Sequence, residues 1–141
     1  MSGYLAVATA EIDAPPVRVW QTLLDPESVR EYMFGSQVVT DWLPGSPILY
    51  RGVWEEKPFE DKGVILEVDE PVRLRFTHYS PLSGAPDNPA SYHTLTYTLE
   101  KIPLGTRITL TQDNNDTEAA AEHSAGMWRQ LLDSVRTIAE R

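Results

Sequence analysis

Apolar and polar positions along this chain change their period several times, and each change marks a change of element. Residues 4–13, Tyr-Leu-Ala-Val-Ala-Thr-Ala-Glu-Ile-Asp, are small and β-tolerant and stop at Asp13, which predicts a strand. Ala14-Pro15-Pro16 then opens a helix, because Pro suits a first helical turn, and Val17, Trp20, Leu23 and Leu24 recur at helical spacing on one apolar face. Asp25-Pro26-Glu27 repeats that start signal, a capping acid followed by Pro, and predicts a short second helix through about Tyr32.

From residue 37 the punctuation becomes that of β-structure. It runs through Val38-Val39-Thr40, a Gly45/Pro47 turn, Ile48 to Trp54, a loop with Lys57-Pro58, and Gly63 to Val68. Val72, Leu74, Phe76 and His78 then share one face of a strand, with Arg73, Arg75, Thr77 and Tyr79 on the other. Ser91, His93, Leu95, Tyr97 and Leu99 share a face in the next strand, and Ile108, Leu110 and Gln112 continue the pattern beyond Gly105. The segment Ser80 to Ala90 is too long for a tight hairpin and too rich in Pro and Gly for regular structure, so it reads as a mobile flap. Thr117 to Arg141 predicts the longest helix, with Trp128, Leu131, Leu132, Val135 and Ile138 along one side. The order of one strand, two short helices, about six strands and a long helix is unlike βαβ alternation. It predicts an α+β fold, a curved antiparallel sheet of about six to seven strands around the C-terminal helix, with space inside the curve. With neither an internal repeat nor an interdomain linker in the pattern, residues 1–141 are expected to form a single domain.

Composition narrows the partners. Twelve Lys+Arg against twenty-one Asp+Glu give a net charge of −9, and like charge repels nucleic acid and anionic headgroups, so neither is an expected partner. The absence of Cys removes thiolate chemistry and Cys-ligated zinc and suits a reducing cytoplasm, the expected location. The opening Met-Ser-Gly-Tyr-Leu has no leader pattern, and no apolar run approaches the roughly 18 residues of a membrane span.

Several residues invite a chemical reading. If the hairpin around the flap is symmetric, antiparallel partners sum to about 171, which sets Leu74 by Tyr97, Phe76 by Leu95 and His78 by His93. The two imidazoles would then be a polar, ligand-orienting pair, two half-exposed strand histidines, or the start of a metal site completed by Gln112, Asp113 or Glu67. Metal-ligand spacing such as H-x-H or H-E-x-x-H is absent. Glu67 lies in an apolar run whose parity is ambiguous, and reads either as a functional acid or as a satisfied, outward carboxylate. Tyr50, Tyr92 and Tyr97 offer hydroxyls to a ligand carbonyl or simply pack. Trp20, Trp42 and Trp54 read as packing residues, and Gly126 beside Trp128 fits a close backbone approach or a kink. No Ser-His-Asp order, nucleophile elbow, dinucleotide fingerprint or P-loop is present, so no catalytic residue, metal or cofactor is assigned.

Separated motifs also occur in a characteristic order: Ile12-Asp-Ala-Pro-Pro-Val-Arg-Val-Trp20, Leu24-Asp-Pro-Glu27, Thr40-Asp-Trp-Leu-Pro-Gly-Ser46, and Gly63-Val-Ile-Leu-Glu-Val-Asp-Glu-Pro71 with Arg73-Leu-Arg-Phe-Thr77. Leu95-Thr-Tyr-Thr-Leu-Glu100, Gly105-Thr-Arg-Ile-Thr-Leu-Thr111 and Trp128-Arg-Gln-Leu-Leu-Asp-Ser-Val135 complete the set. Together they resemble the activator-of-Hsp90-ATPase-homologue-like (AHSA1-like) branch of the START/Bet v 1-like SRPBCC superfamily over nearly the whole chain. Three positions depart from that pattern: His78 where Trp is usual, Gln112 where His is frequent, and Met127 where Gly is frequent.

The resemblance implies a helix-grip fold with a hydrophobic cavity between sheet and helix that takes lipid-, sterol-, polyketide-like or flat aromatic molecules. Its walls would be Ile48 and Tyr50; Leu66; Leu74, Phe76 and His78; His93, Leu95 and Tyr97; Ile108, Leu110 and Gln112; and, from the helix, Trp128, Leu131, Leu132 and Val135. The expected activity is non-catalytic binding of a small hydrophobic or aromatic ligand, with the Pro-rich flap gating access. The alternatives are a co-chaperone of Hsp90 type, with a chaperone as partner, and a polyketide cyclase or dehydratase using His78, His93 or Glu67. A monomer or weak homodimer is expected, since edge strands permit pairing.

Overall fold

The computed structural model describes residues 3–141; Met1 and Ser2, part of the opening read above as lacking a leader pattern, lie outside them. Strand β1 (Tyr4–Ile12) leads into helices α1 (Pro16–Leu24) and α2 (Pro26–Tyr32). Strands β2 (Gln37–Val39), β3 (Pro47–Trp54), β4 (Lys57–Asp69), β5 (Arg73–His78), β6 (His93–Lys101) and β7 (Thr106–Asn115) follow, and helix α3 (Glu118–Ala139) closes the series. The strands form one sheet in the order β1-β7-β6-β5-β4-β3-β2, with every neighbouring pair antiparallel. The fold is therefore the expected α+β helix-grip arrangement. Among the described residues no helix is long and apolar enough to cross a membrane.

Local chemistry explains the boundaries. Pro stands in the first turn of both short helices, and the Asp25 carboxylate accepts from the Ser28 backbone N–H at 3.0 Å to cap α2. Thr117 caps α3 in the same way, its hydroxyl accepting from the Ala120 N–H at 3.0 Å. Alternating side chains place Ala6, Ala8, Ile48, Ile65, Leu74, Leu95, Ile108 and Leu110 on the concave side, where Trp128, Leu131, Leu132, Val135 and Ile138 of α3 meet them in one core. Small alanines on β1 let α3 lie close to that edge of the sheet.

One end of this sandwich is closed by the chain itself. The Arg18 guanidinium on α1 donates to the carbonyls of Ile138 (3.0 Å) and Ala139 (3.3 Å) at the end of α3, supplying cationic donors where a helix leaves its carbonyls unpaired. The Thr106 hydroxyl donates to the Ala14 carbonyl at 2.7 Å. Gly105 beside it has no room for a Cβ, which would lie 2.5 Å from the Ile12 carbonyl oxygen.

Four details differ from the sequence reading. β4 begins at Lys57, so the expected loop there shrinks to a two-residue turn at Glu55 and Glu56, both with positive φ, as tight hairpins favour. Val72 lies in the turn before β5 and is exposed. Trp54 is exposed at the β3–β4 hairpin tip, whereas Trp20 is buried and Trp42 packs half-buried against the core. α3 is continuous through Gly126, where an added Cβ would meet only the Arg129 guanidinium at 3.6 Å, so neither a kink nor a close backbone approach explains that glycine.

Candidate functional site

The end of the concave face away from α1 is where polar side chains gather. β5 and β6 pair with Leu74 opposite Tyr97, Phe76 opposite Leu95 and His78 opposite His93, the register expected from the hairpin. On the other flank Tyr50 of β3 stands opposite Asp61 of β4. Gly63 follows two residues later, where any Cβ would lie 1.7 Å from the Thr77 carbonyl oxygen; only glycine lets β4 press this close to β5 beside His78. His78 reaches across that gap, its Nε2 lying 3.0 Å from Asp61 Oδ2. Both side chains are about 85% buried, with relative exposures of 14% and 15%.

The remaining polar atom of each partner is idle. His78 Nδ1 and Asp61 Oδ1 are shielded from solvent and have no hydrogen-bond partner. An idle buried polar atom costs on the order of 1–3 kcal/mol, so one on each member of a contacting pair is a feature the fold carries at some expense. His93 differs: its Nδ1 lies 2.7 Å from the backbone carbonyl of Asp113, which can only accept, so that nitrogen is the donor and Nε2 keeps the lone pair.

Deeper inside, the rings of Tyr50, Phe76 and Tyr97 follow one another with centroids 6.2 and 6.4 Å apart, and the edge of His78 meets Tyr50 at 6.3 Å. Burial pushes the phenols of Tyr50 and Tyr97 above their ordinary range, and the neighbouring Tyr97 and the Asp61 charge raise Tyr50 further. The shielded side-chain atoms without a hydrogen-bond partner are Trp20 Nε1, Asp61 Oδ1 and His78 Nδ1, and neither tyrosine hydroxyl is among them. The buried Tyr32 beside them is raised by the same desolvation, yet its hydroxyl donates to the Leu23 carbonyl at 2.7 Å. Gln112, at the departure from the family pattern, accepts from the Trp128 indole N–H at 3.2 Å and ties β7 to α3.

Fifteen of the sixteen residues named above as cavity walls thus lie on the concave face or on the side of α3 turned to it; apart from His78 and His93, none is more than 6% exposed. Leu66 is the correction. A register shift between Ile65 and Glu67 places Leu66 and Glu67 together in a bulge, with Ile65 opposite Phe76 and Val68 opposite Leu74. Leu66 therefore points outward and is 44% exposed. The same bulge resolves the ambiguous parity of Glu67, which lies outside near Arg73 (3.6 Å) and Arg75 (3.9 Å) as a loosely paired surface carboxylate. Asp61 is the residue that pattern reading missed, because Glu60-Asp61-Lys62 looks like a solvated charge run and its strand was expected to begin only at Gly63. No group of three His, Cys, Asp or Glu side chains that could hold a metal occurs among the described residues.

The Pro-rich segment is placed on the opposite, convex side. Two 3-10 turns, Pro81–Ser83 and Pro89–Ser91, fold it back along the sheet. Tyr79 stacks on Tyr92 at 5.2 Å and donates to the Ala85 carbonyl at 2.7 Å, Tyr92 donates to Asp87 at 2.8 Å, and Lys62 pairs with Asp87. Asn114 donates to the carbonyls of Ala90 (2.8 Å) and Tyr92 (3.0 Å). A surface cleft of about 630 Å³ remains between this segment and Thr77, Thr94, Asp113 and Asn114. The segment is thus tethered on the side away from the concave face rather than hanging free as a flap.

The sequence profile described as activator of Hsp90 ATPase homolog 1-like protein matches residues 13–140. The chain belongs to the AHSA1-like family. A solution structure from Cytophaga hutchinsonii is similar to it with 42% identity and a TM-score of 0.86, covering 99% of this chain and 97% of that one. A Chromobacterium violaceum protein resembles this AHSA1-like chain in fold (18% identity, TM-score 0.78, 98% and 99% covered). So does the Aha1 dimer from Colwellia psychrerythraea (16% identity, TM-score 0.73, 97% and 96% covered). No curated protein matches the chain.

Proposed function

We propose that this AHSA1-like chain binds a small apolar molecule with a planar or lipid-like body between its sheet and α3, without transforming it. The observation that carries the reading is an aromatic wall of Tyr50, Phe76 and Tyr97 that ends on the buried, unpartnered His78 Nδ1 and Asp61 Oδ1. A pair that served packing alone would have no need of polar atoms without partners, whereas the polar head of a ligand would use them. Apolar surface transferred from water to this wall contributes about 25 cal/mol per Å², and the few polar groups set orientation. Access is from the His78/His93 end, because α1, Arg18 and Thr106 close the other.

The test is a residue-by-residue chemical-shift titration of labelled protein with fatty acids, sterol-like compounds and planar aromatics. Perturbations are expected to cluster in 74–78, 93–97, 108–112 and 128–135, and to vanish in a folded Leu110→Trp variant, whose indole fills the space. Perturbations absent from the wild type, or unchanged in Leu110→Trp, would overturn the reading.

A chaperone-facing interaction surface is the second reading, favoured by one observation besides family membership. Val39, Val64 and Leu66 are exposed on the convex side of the β2–β4 region, with Leu43 exposed in the segment beside it, an apolar outer surface that the chain itself leaves uncovered. Copurification with a chaperone, lost in Leu66→Lys, would support it.

A further inference from the structure

We propose that Asp61 and His78 are an acceptor-only anchor that selects, among apolar aromatic ligands, those whose head group donates a hydrogen bond, a phenolic or enolic hydroxyl, and rejects carboxylates. The inference rests on the interior-binding reading above and adds the chemical class of the ligand. The carboxylate of Asp61 can only accept, so His78 Nε2 carries the proton of their 3.0 Å contact, and in the imidazole form Nδ1 holds a lone pair. That lone pair and Asp61 Oδ1 are both buried and unused. His93 adds a third acceptor at the same end, because its Nδ1 is committed to the Asp113 carbonyl. The one nearby cation of β4, Lys62, is spent on Asp87 on the convex side.

The site therefore offers lone pairs and a negative charge. An ether or ketone head would set acceptor against acceptor, and an anionic head would meet the Asp61 charge in a poorly screened setting. A hydroxyl satisfies an idle acceptor directly, and its ring would lie against Tyr50 and Phe76, whose rings are tilted at 44° with centroids 6.2 Å apart. The tyrosine hydroxyls, which can donate, complement a carbonyl farther along the same ligand.

Three probes of one shape separate the outcomes: 2-naphthol, its methyl ether and 2-naphthoate, titrated calorimetrically into the wild type and into His78→Phe/Asp61→Leu. Replacing both partners by apolar groups avoids stranding one buried charge. In the wild type the naphthol is expected to bind about tenfold more tightly than the ether, and the naphthoate most weakly. In the double variant the naphthol and ether should converge. Histidine 15N spectra of the wild type provide an independent readout, with naphthol shifting His78 Nδ1 and leaving Nε2 protonated. Equal affinities for the three probes, or naphthoate binding best, would overturn the anchor while leaving interior binding intact. No binding of any probe to folded wild type would remove the interior-binding reading and the anchor together. Should the double variant fail to fold, the wild-type ranking and the His78 shift decide.

Discussion

At the ends of β5 and β6 the two faces of one sheet treat polar groups in opposite ways. On the convex side Tyr79, Tyr92, Asp87, Lys62, Asn114 and the Asp113 carboxylate all have partners, the last accepting from the Thr94 N–H at 2.6 Å. One residue away on the concave side, His78 Nδ1 and Asp61 Oδ1 have none. The first set uses its hydrogen bonds to hold residues 80–92, between the Tyr79 bridge and β6, in place. The second leaves one shielded polar atom on each member of the His78–Asp61 contact without a partner, an arrangement suited to a site that takes a ligand.

The largest expected effect sharpens the contrast at its apolar base. Phe76→Ala on the concave side should cost about 3–5 kcal/mol in denaturant unfolding, whereas Thr94→Ala one strand away on the convex side should stay within about 0.5 kcal/mol. A smaller experiment tests the comparison itself by removing one oxygen from each face. Tyr79→Phe should lose about 1 kcal/mol with its bond to Ala85, while Tyr97→Phe should be neutral or stabilising and should weaken ligand binding. Equal losses from the two variants would mean that the Tyr97 hydroxyl is satisfied and the contrast is false. The smallest effect comes from acid. The hydrogen bond from Lys62, with that from Tyr92, lowers the Asp87 carboxyl below its usual range. A lowered folded value means a contribution fully present above the unfolded carboxyl value and lost as pH falls through the folded one. Below about pH 4 the 80–92 connection should loosen first, seen as faster amide exchange at Ala85 and Tyr92 while the sheet persists.

The architecture was legible because its cues are local and periodic. Alternation placed Leu74, Phe76, Leu95 and Tyr97 on one face, and the hairpin arithmetic placed His78 by His93, since register follows from pattern and loop symmetry. What escaped depends on irregularity or on contacts distant in sequence. Leu66 fell on the wrong face because a bulge breaks the period of two at a point where residues on both sides are apolar. The 80–92 connection read as free because its composition shows Pro and Gly but not the Lys62, Tyr79 and Asn114 side chains that tether it. Asp61 was hidden by charged neighbours, and its pairing with His78, seventeen residues on, has no short-range signature.

The sheet order also has a temporal side. β1 pairs along its whole length with β7, from Tyr4 near Asn115 to Ile12 beside Thr106, and Arg18 grips the carbonyls at the end of α3. During synthesis the first strand leaves the ribosome about a hundred residues before its only neighbour exists, with Tyr4, Leu5 and Val7 on an unpaired edge. β1 is therefore secured only after β7 has been made, and closure of the sheet waits for the last of its strands.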